Sequence, residues 1–117
     1  MERIRDRVAI HLARGRRRIV DPGDIYFIEA IAGGSRVRLR GARPLIDVRL
    51  AGELERALAP LGFVRVHRDY LVNIRRVREV RRRPTGRDWE LKLSSPVNRV
   101  LPISRRALVK IWSALGE

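Results

Sequence analysis

The amino-acid sequence predicts an antiparallel, mainly β domain with two short helices. Apolar residues occur in short runs, and turn residues separate these runs at short intervals. Only two segments place apolar residues at helical spacing. The chain has 117 residues, which is enough for one domain with a single core, so we treat residues 1–117 as one domain.

The first thirty residues predict three strands joined by turns. Residues 8–12 have strand character, and residues 14–16 form the turn to a returning strand at residues 17–20. Residues 21–24, Asp-Pro-Gly-Asp, are a strong turn signal, because proline fixes φ and glycine permits the chain reversal. The β-rich apolar run at residues 25–30 then predicts a buried strand.

The next segments lead from a loop to the first helix. Residues 33–35 predict a loop, and residues 36–40 alternate arginine with valine and leucine, which places three arginines on one face of a strand. Residues 45–48 predict another short strand. Pro60 and Gly62 end a helix that is predicted from leucines at helical spacing, namely Leu50, Leu54, Leu58 and Leu61.

The second half predicts further short strands. Residues 63–66 are extended, and residues 67–74 have no clean period, which is typical of a packed turn or short strand. Six arginines lie between Arg75 and Arg83, and we interpret most of this run as a solvated surface. A hairpin turn at residues 84–87 precedes the last two predicted strands, at residues 89–93 and 99–103.

A second helix is predicted at the C-terminal end. Ser104 is a natural N-cap, and Gly116 is a natural residue for the position after the C-cap. The apolar face of this helix is predicted from residues spaced at i, i+3, i+4 and i+7, namely Leu108, Ile111, Trp112 and Leu115.

The charge of the chain indicates a polyanionic partner. Lysine and arginine number 27 against 13 acidic residues, which gives a net charge of +14. A genome rich in G and C favours arginine over lysine, but that bias does not create a large net imbalance. A domain with this charge repels itself, so we expect nucleic acid as the partner. No long basic amphipathic helix is visible, which disfavours a membrane surface.

Several functional classes are disfavoured by composition. The absence of cysteine excludes disulfides and cysteine–zinc sites. His11 and His67 lie in no nucleophile or metal motif, so we expect no enzyme, no metal and no cofactor. No apolar stretch approaches the ~20 residues of a membrane span. The charged N-terminus lacks the apolar core of a secretory signal, so we expect a cytoplasmic protein.

The start of the second helix is the most informative local feature. Ser104 caps this helix, and Arg105 and Arg106 occupy its first turn, where the helix dipole normally favours acidic residues. The two arginines are explained if a phosphate binds there, since backbone N–H groups, dipole and guanidinium groups all favour an anion. Alternatively, both arginines point into water at a cost of a few tenths of a kcal/mol.

Two other segments offer candidate contacts. His67 and Arg68 lie on a non-periodic turn, and arginine is the best bidentate reader of guanine, whereas a histidine in this setting is more often structural. Asp69 is expected to hold an arginine or cap the turn. Ser35 and Arg36 follow two glycines, and a loop of this kind can approach a nucleic-acid backbone closely.

One further polar residue is expected to have a structural role inside the fold. Asn73 is flanked by apolar residues, so we expect its side chain to satisfy buried backbone groups rather than to contact DNA.

These segments together resemble a LytTR-type DNA-binding domain. The most specific stretch has the form Phe-x-Arg-x-His-Arg-x-Tyr-x-Val-Asn at residues 63–73. The resemblance also includes residues 24–30, Leu54-Glu55 in the leucine helix and residues 101–106, and it covers roughly residues 5–115.

The resemblance implies an elongated stack of short antiparallel sheets with two short helices, the output domain of a bacterial response regulator. It further implies that loop side chains enter successive major grooves of promoter DNA, with repeated sites and a dimer on DNA as expectations. The implied DNA contacts are Ser35, Arg36, His67, Arg68, Arg105 and Arg106. Family members often have serine where this chain has Asp69, and some present a histidine in the first loop. No receiver domain precedes the matching part, so the resemblance supports no phosphorylation switch.

Two other functions share the charge. A general RNA-binding or ribosome-associated protein is the main alternative, and it would stack bases on exposed aromatic side chains. Aromatic residues make up only 5% of this chain, and most lie in apolar patterns that are typical of a core. The other alternative is an interaction module whose basic face docks an acidic protein.

Overall fold

A computed structural model describes residues 7–117 and confirms the mainly β fold. The charged N-terminal residues 1–6, from which we argued against a secretory signal, lie outside the described residues. The elements of the described part are β1 (Val8–His11), β2 (Arg17–Val20), β3 (Ile25–Ile31), β4 (Gly34–Leu39), β5 (Leu45–Asp47), α1 (Ala51–Leu58), β6 (Phe63–His67), β7 (Tyr70–Asn73), β8 (Val77–Arg82), β9 (Trp89–Leu93), β10 (Val100–Ile103) and α2 (Arg105–Ala114).

The strands form three antiparallel sheets that are stacked along the molecule. Strands β1 and β2 form a hairpin, and a central sheet has the order β5-β4-β3-β7-β6. The third sheet has the order β10-β9-β8. The described chain measures 46 × 36 × 26 Å, so the expectation of an elongated stack of short sheets is confirmed.

The central sheet separates two hydrophobic clusters because its strands carry apolar residues on both faces. On one face, Ile28 packs in a cluster with Leu54 of α1 and Ile10 of the hairpin. On the other face, Phe27 packs in a cluster with Leu91 of the third sheet and Ile111 of α2. Each face of the central sheet is therefore covered by one of the outer layers.

Helix α1 follows only part of the predicted leucine pattern. Leu54 and Leu58 are buried, whereas Leu50 precedes the helix and is exposed. A short 3₁₀ turn continues the chain to Gly62, whose φ of 89° lies in the left-handed region. This conformation favours glycine and ends the helical segment where the sequence predicts.

Helix α2 begins at the predicted cap, but its buried face differs from the prediction. The Ser104 hydroxyl accepts a hydrogen bond from the Ala107 N–H at 3.3 Å. Ala107 and Ile111 are the buried residues of the helix. Leu115 is 43% exposed because it lies beyond the last helical turn, so its predicted place on the apolar face is wrong.

One other prediction is corrected by a strand boundary. Ser35 does not lie in a loop, because β4 already begins at Gly34. The arginine run between Arg75 and Arg83 is mostly exposed, as predicted, and it contains a strand, β8, whose register to β9 places Arg82 opposite Trp89. The non-periodic segment 67–74 is a turn followed by β7, which fits one of the two predicted forms.

Asn73 has the predicted structural role. Its Nδ2 donates to the carbonyl oxygens of Pro22 at 3.1 Å and Ile25 at 3.0 Å. Its Oδ1 accepts from the Arg75 N–H at 3.1 Å. The buried amide thus joins the turn before β3 to the end of β7.

We expect Asn73→Ala to lower the free energy of unfolding by about 2 kcal/mol, because it leaves the Pro22 and Ile25 carbonyls without their donor in a buried site. Urea denaturation checks this value, with Ser113→Ala on the exposed side of α2 as the control. A loss no greater than that of the control would contradict the anchoring role of the amide.

Candidate nucleic-acid interface

Three candidate segments lie along one edge of the molecule. Glu29 of β3 pairs with Arg36 on β4 and with Tyr70 on β7, so the β3–β4 hairpin and the β6–β7 turn are neighbours. The Ala30 N–H donates to the Asp69 carbonyl at 2.8 Å. The Ser104 N–H donates to the carbonyl of Val66 at 2.8 Å, which brings the start of α2 beside the same turn. We call the β3–β4 hairpin, the β6–β7 turn and the first turn of α2 the loop edge.

Arg36 is exposed at the loop edge, but Ser35 is not. The Arg36 side chain is 48% exposed, and its Nη1 lies 2.9 Å from Oε1 of Glu29 on the neighbouring strand. Ser35 is fully buried, and its hydroxyl donates to the Arg49 carbonyl at 2.8 Å. Successive residues of a strand face opposite sides, so β4 turns Ser35 inward when Arg36 faces outward. The prediction of Ser35 as an accessible loop contact is therefore wrong.

Arg65, which is partly buried, holds the backbone of the β6–β7 turn. Arg65 donates through Nε to the His67 carbonyl at 3.0 Å and through Nη2 to the Arg68 carbonyl. Its Nη1 lies 3.2 Å from a carboxylate oxygen of Glu55 on α1. The Arg68 side chain is exposed and has no ion pair within residues 7–117, so the turn presents its guanidinium group from a fixed backbone.

His67 has a structural role within this turn. Its Nδ1 accepts a hydrogen bond from the Asp69 N–H at 3.1 Å, which places the proton of the neutral ring on Nε2. The ring also packs against Tyr70, with 5.9 Å between the ring centroids. The Asp69 carboxylate lies 3.8 Å from His67 Nδ1, so its neighbour is this histidine rather than the expected arginine.

The first turn of α2 presents the other two predicted arginines. Arg105 and Arg106 are both exposed, and no ion pair within residues 7–117 involves either of them. A cleft of about 340 Å³ joins this turn to the β6–β7 turn, and its walls include His67, Arg83 and Arg105. The loop edge is therefore continuous from β6 to α2.

The structure divides the arginine run that the sequence treats as one surface. Arg83 lines the cleft at the loop edge, a place that its sequence context does not indicate. Arg81 pairs with Glu90 at 2.7 Å, and Arg76 donates to the Gly23 carbonyl at 2.7 Å. Arg75 follows β7 at the end of the sheet away from the loop edge. Only the end of the run that includes Arg83 thus contributes to the candidate interface.

Asp47 lies in β5, at one edge of the central sheet, and joins this sheet to the β1–β2 hairpin. This fully buried carboxylate accepts from the Arg49 side chain at 2.8 and 3.0 Å and from the His11 N–H at 3.0 Å. Burial alone raises the pKa of Asp47, but the hydrogen bonds from Arg49 and His11 outweigh it and lower the pKa below its usual value. The sequence shows Asp47 only as one scattered carboxylate, since its His11 partner is far away along the chain.

The described residues offer few features of other functional classes. Across residues 7–117, no three His, Cys, Asp or Glu side chains are arranged so that they could hold a metal ion. The same part of the chain has no helix with the length and apolar character that crossing a membrane requires.

Comparison with known proteins decides the family. Residues 15–116 match the family model of the LytTr DNA-binding domain. The chain belongs to this family. The LytTr resemblance that the sequence suggests is thereby confirmed, and the chain is a DNA-binding domain of the type found in transcription regulators. The family is one of DNA-binding domains rather than enzymes.

Two known proteins illustrate the relationship. The CO-responsive transcriptional regulator RcoM of Rhodospirillum rubrum is 34% identical over 97 residues, which cover 83% of this chain and 40% of that protein. The LytTr chain thus spans well under half the length of this relative. A solved LytTr DNA-binding domain from Bacillus cereus superposes with a TM-score of 0.74 at 19% identity, covering 96% of this chain and 98% of the other. This second likeness shows that the fold is shared.

We expect Asp47→Asn to lower the free energy of unfolding at neutral pH by about 3 kcal/mol, because it leaves Arg49 without its buried charge partner. The folded-state pKa of Asp47 is lowered, so this stabilisation is present above the unfolded-state pKa of about 4 and is lost as pH falls through the folded-state pKa. The difference between the two proteins should therefore narrow below about pH 4. Urea denaturation from neutral pH to about pH 3 measures it, with the exposed Asp88→Asn as control, and a constant difference would contradict the charge contribution.

Proposed function

We propose that this domain binds double-stranded promoter DNA sequence-specifically, as part of a bacterial transcription regulator, by inserting loop-edge side chains into the major groove. One observation carries the proposal. Arg36, Arg68 and Arg105 are exposed on three different elements, yet hydrogen bonds hold those elements side by side along one edge. The hydrogen bonds from Arg65 to the His67 and Arg68 carbonyls, which we call the Arg65 clamp, also fix the backbone that carries Arg68. A fixed backbone favours a defined direction of the Arg68 side chain over a diffuse charge.

The proposed contacts differ in chemistry. Arg68 and Arg105 have no acidic partner within residues 7–117, so each can offer a planar pair of donors to O6 and N7 of guanine. Arg106 and the free N–H groups of the first turn of α2 suit a phosphate. Arg36 has to share its guanidinium with Glu29, which leaves part of its donors for DNA. His67 can donate from Nε2 at the wall of the cleft.

General RNA binding is less well supported than duplex binding. Tyr26 and Phe27 are buried, as is Phe63, so none of them offers a face for base stacking. Trp89 and Trp112 are partly buried and pack edge to face against each other, with 6.0 Å between the ring centroids. The described residues carry strong positive charge but no exposed aromatic ring on which bases could stack. This combination suits the regularly spaced phosphates of a duplex.

Repeated sites, a dimer on DNA and a cytoplasmic location remain parts of the same proposal. The loop edge of one domain reads a short stretch of sequence, so a second copy on a repeated site would add specificity. Protection of selected duplexes from nuclease cleavage over one or two sites distinguishes binding by one copy from binding by two.

One test of the proposal concerns Arg68 and Arg105, the proposed base readers. After duplex selection from a random pool, Arg68→Ala and Arg105→Ala should each lose about 1–3 kcal/mol on the selected duplex and relax the base preference. Arg56→Ala, an exposed residue on the last turn of α1, is the control and should change affinity little. Fluorescence anisotropy at physiological salt measures the affinities. If selected duplexes bind no better than random ones, the domain is not a sequence-specific DNA reader, and its RNA or acidic-protein affinity becomes the next measurement.

Another test concerns the Arg65 clamp that holds the β6–β7 turn. Arg65→Lys keeps the charge but cannot donate to the His67 and Arg68 carbonyls and to Glu55 at once. We expect the affinity for the selected duplex to fall about tenfold, equivalent to ~1.4 kcal/mol, with little change on random duplexes. Titrations of both duplex classes measure the two affinities, and a parallel loss on both would show that Arg65 adds only charge or stability.

A further inference from the structure

The hairpin of β1 and β2 carries a second group of exposed arginines that the proposed base readers do not include. Every residue from 13 to 19 is exposed, and four of these seven are arginines. The turn between the strands is tight, with Arg14 at a φ of 62° in the left-handed region. The hairpin arginines, as we call them, are Arg14, Arg16, Arg17 and Arg18.

Backbone contacts place this hairpin beside the loop edge. Arg17 pairs with His11 across the hairpin, and the His11 carbonyl accepts from the Val48 N–H at 2.9 Å. Asp47, just before Val48, pairs with Ser35 at the start of β4. These links connect β2 to β4 through β1 and β5. The hairpin therefore lies next to the β5 side of the strand that carries Arg36.

The β6–β7 turn lies on the opposite side of β4. The sheet order places β3 and β7 between β4 and β6. The hairpin arginines therefore extend the loop edge past Arg36, in the direction away from α2.

The charge of the hairpin is not compensated by the described part of the chain. None of the ion pairs among residues 7–117 involves a hairpin arginine, and the only side-chain hydrogen bond from this group joins Arg17 to the Arg16 carbonyl at 3.3 Å. Burial lowers the pKa of His11 most, the charges of Arg49 and Arg17 lower it further, and Asp47 and Glu53 act in the opposite direction. Positive charge therefore concentrates at the hairpin.

We propose that Arg16 and Arg17 bind backbone phosphates of the duplex next to the segment contacted by Arg36, on the side away from α2. This inference rests on the proposed DNA binding at the loop edge. Long, exposed guanidinium groups on a narrow hairpin suit phosphate oxygens, which fix position and add affinity without reading sequence. The hairpin thus lengthens the DNA segment that one domain covers and contributes sequence-independent affinity.

A matched pair of double variants tests the proposal in the full chain. Arg16→Gln with Arg17→Gln removes two charges from the hairpin. Arg56→Gln with Arg75→Gln removes two charges from exposed residues that lie away from the loop edge. Thermal unfolding establishes that both proteins fold. Affinity is then measured on selected and random duplexes between about 50 and 200 mM salt, the range over which phosphate contacts change affinity steeply.

The hairpin variant should reduce the slope of log affinity against log salt by about 2, because each phosphate contact contributes ~0.9. The control variant should change the slope by much less. Removing about five base pairs from one flank of the selected duplex should weaken the wild type and leave the hairpin variant unaffected, while the other flank should not distinguish the two proteins.

Two results would overturn the proposal. Equal slope changes in both double variants would mean that only net charge matters, and an equal response of wild type and hairpin variant to trimming of each flank would mean that the hairpin touches neither. Failure of the proposed sequence-specific function is a separate result, since the wild type would then bind selected and random duplexes equally. The slope comparison on random duplexes still tests the hairpin in that case.

Discussion

The central sheet has to be covered on both faces, because four successive residues of β3, from Ile25 to Ile28, are withdrawn from solvent. A strand normally alternates between buried and exposed side chains, and a strand without this alternation needs a layer on each side. The hairpin and α1 cover one face, and the third sheet with α2 covers the other. Because these layers leave the strand ends free, the turns at one end of the sheet lie together and form the loop edge.

Arginine has two separate uses in this domain. Arg49, Arg65 and Arg76 donate to backbone carbonyls and hold connections in place. Arg68 and Arg105 have no such partners among the described residues and lie on elements whose backbones are already fixed. The planar guanidinium group suits both uses, since it can bridge several carbonyls or present two parallel donors to a base. The arginines behind the net charge of +14 therefore include both structural and available groups, and they do not form one uniform basic surface.

Local patterns predict most of the fold, and tertiary contacts account for what they miss. Alternation, leucine spacing and turn residues are local, so the strands, the end of α1 and the cap of α2 follow from them. The sequence predicts a loop at Ser35 because two glycines precede it, and that prediction is wrong. In the structure, Gly34 already belongs to β4, where a Cβ atom would lie 2.7 Å from the Asp47 carbonyl. That close approach comes from β5, and the sequence around Gly34 does not contain it.

The candidate site shows the same division. The positions of Arg68 and Arg105 are visible in the sequence because a turn and a helix start are local features. The clamp from Arg65 is not visible, since its value depends on Glu55, ten residues away on another element. Arg83 was hidden within a run of like charges, and only the register of β8 with β9 brings it to the cleft.

The separation of arginines also suits the proposed sequence-specific binding by a strongly basic domain. A guanidinium group on a mobile segment gains affinity from any phosphate, and it loses conformational entropy when it is ordered at one base. The β6–β7 turn reduces that loss, because Arg65 and His67 already fix the backbone on which Arg68 stands. In the proposed complex, arginines on the fixed turn favour one base over another, whereas arginines on the exposed hairpin contribute affinity for DNA in general. Specificity then depends on the difference between these two groups, so a change in the clamp should alter base preference more than a change of equal charge on the hairpin.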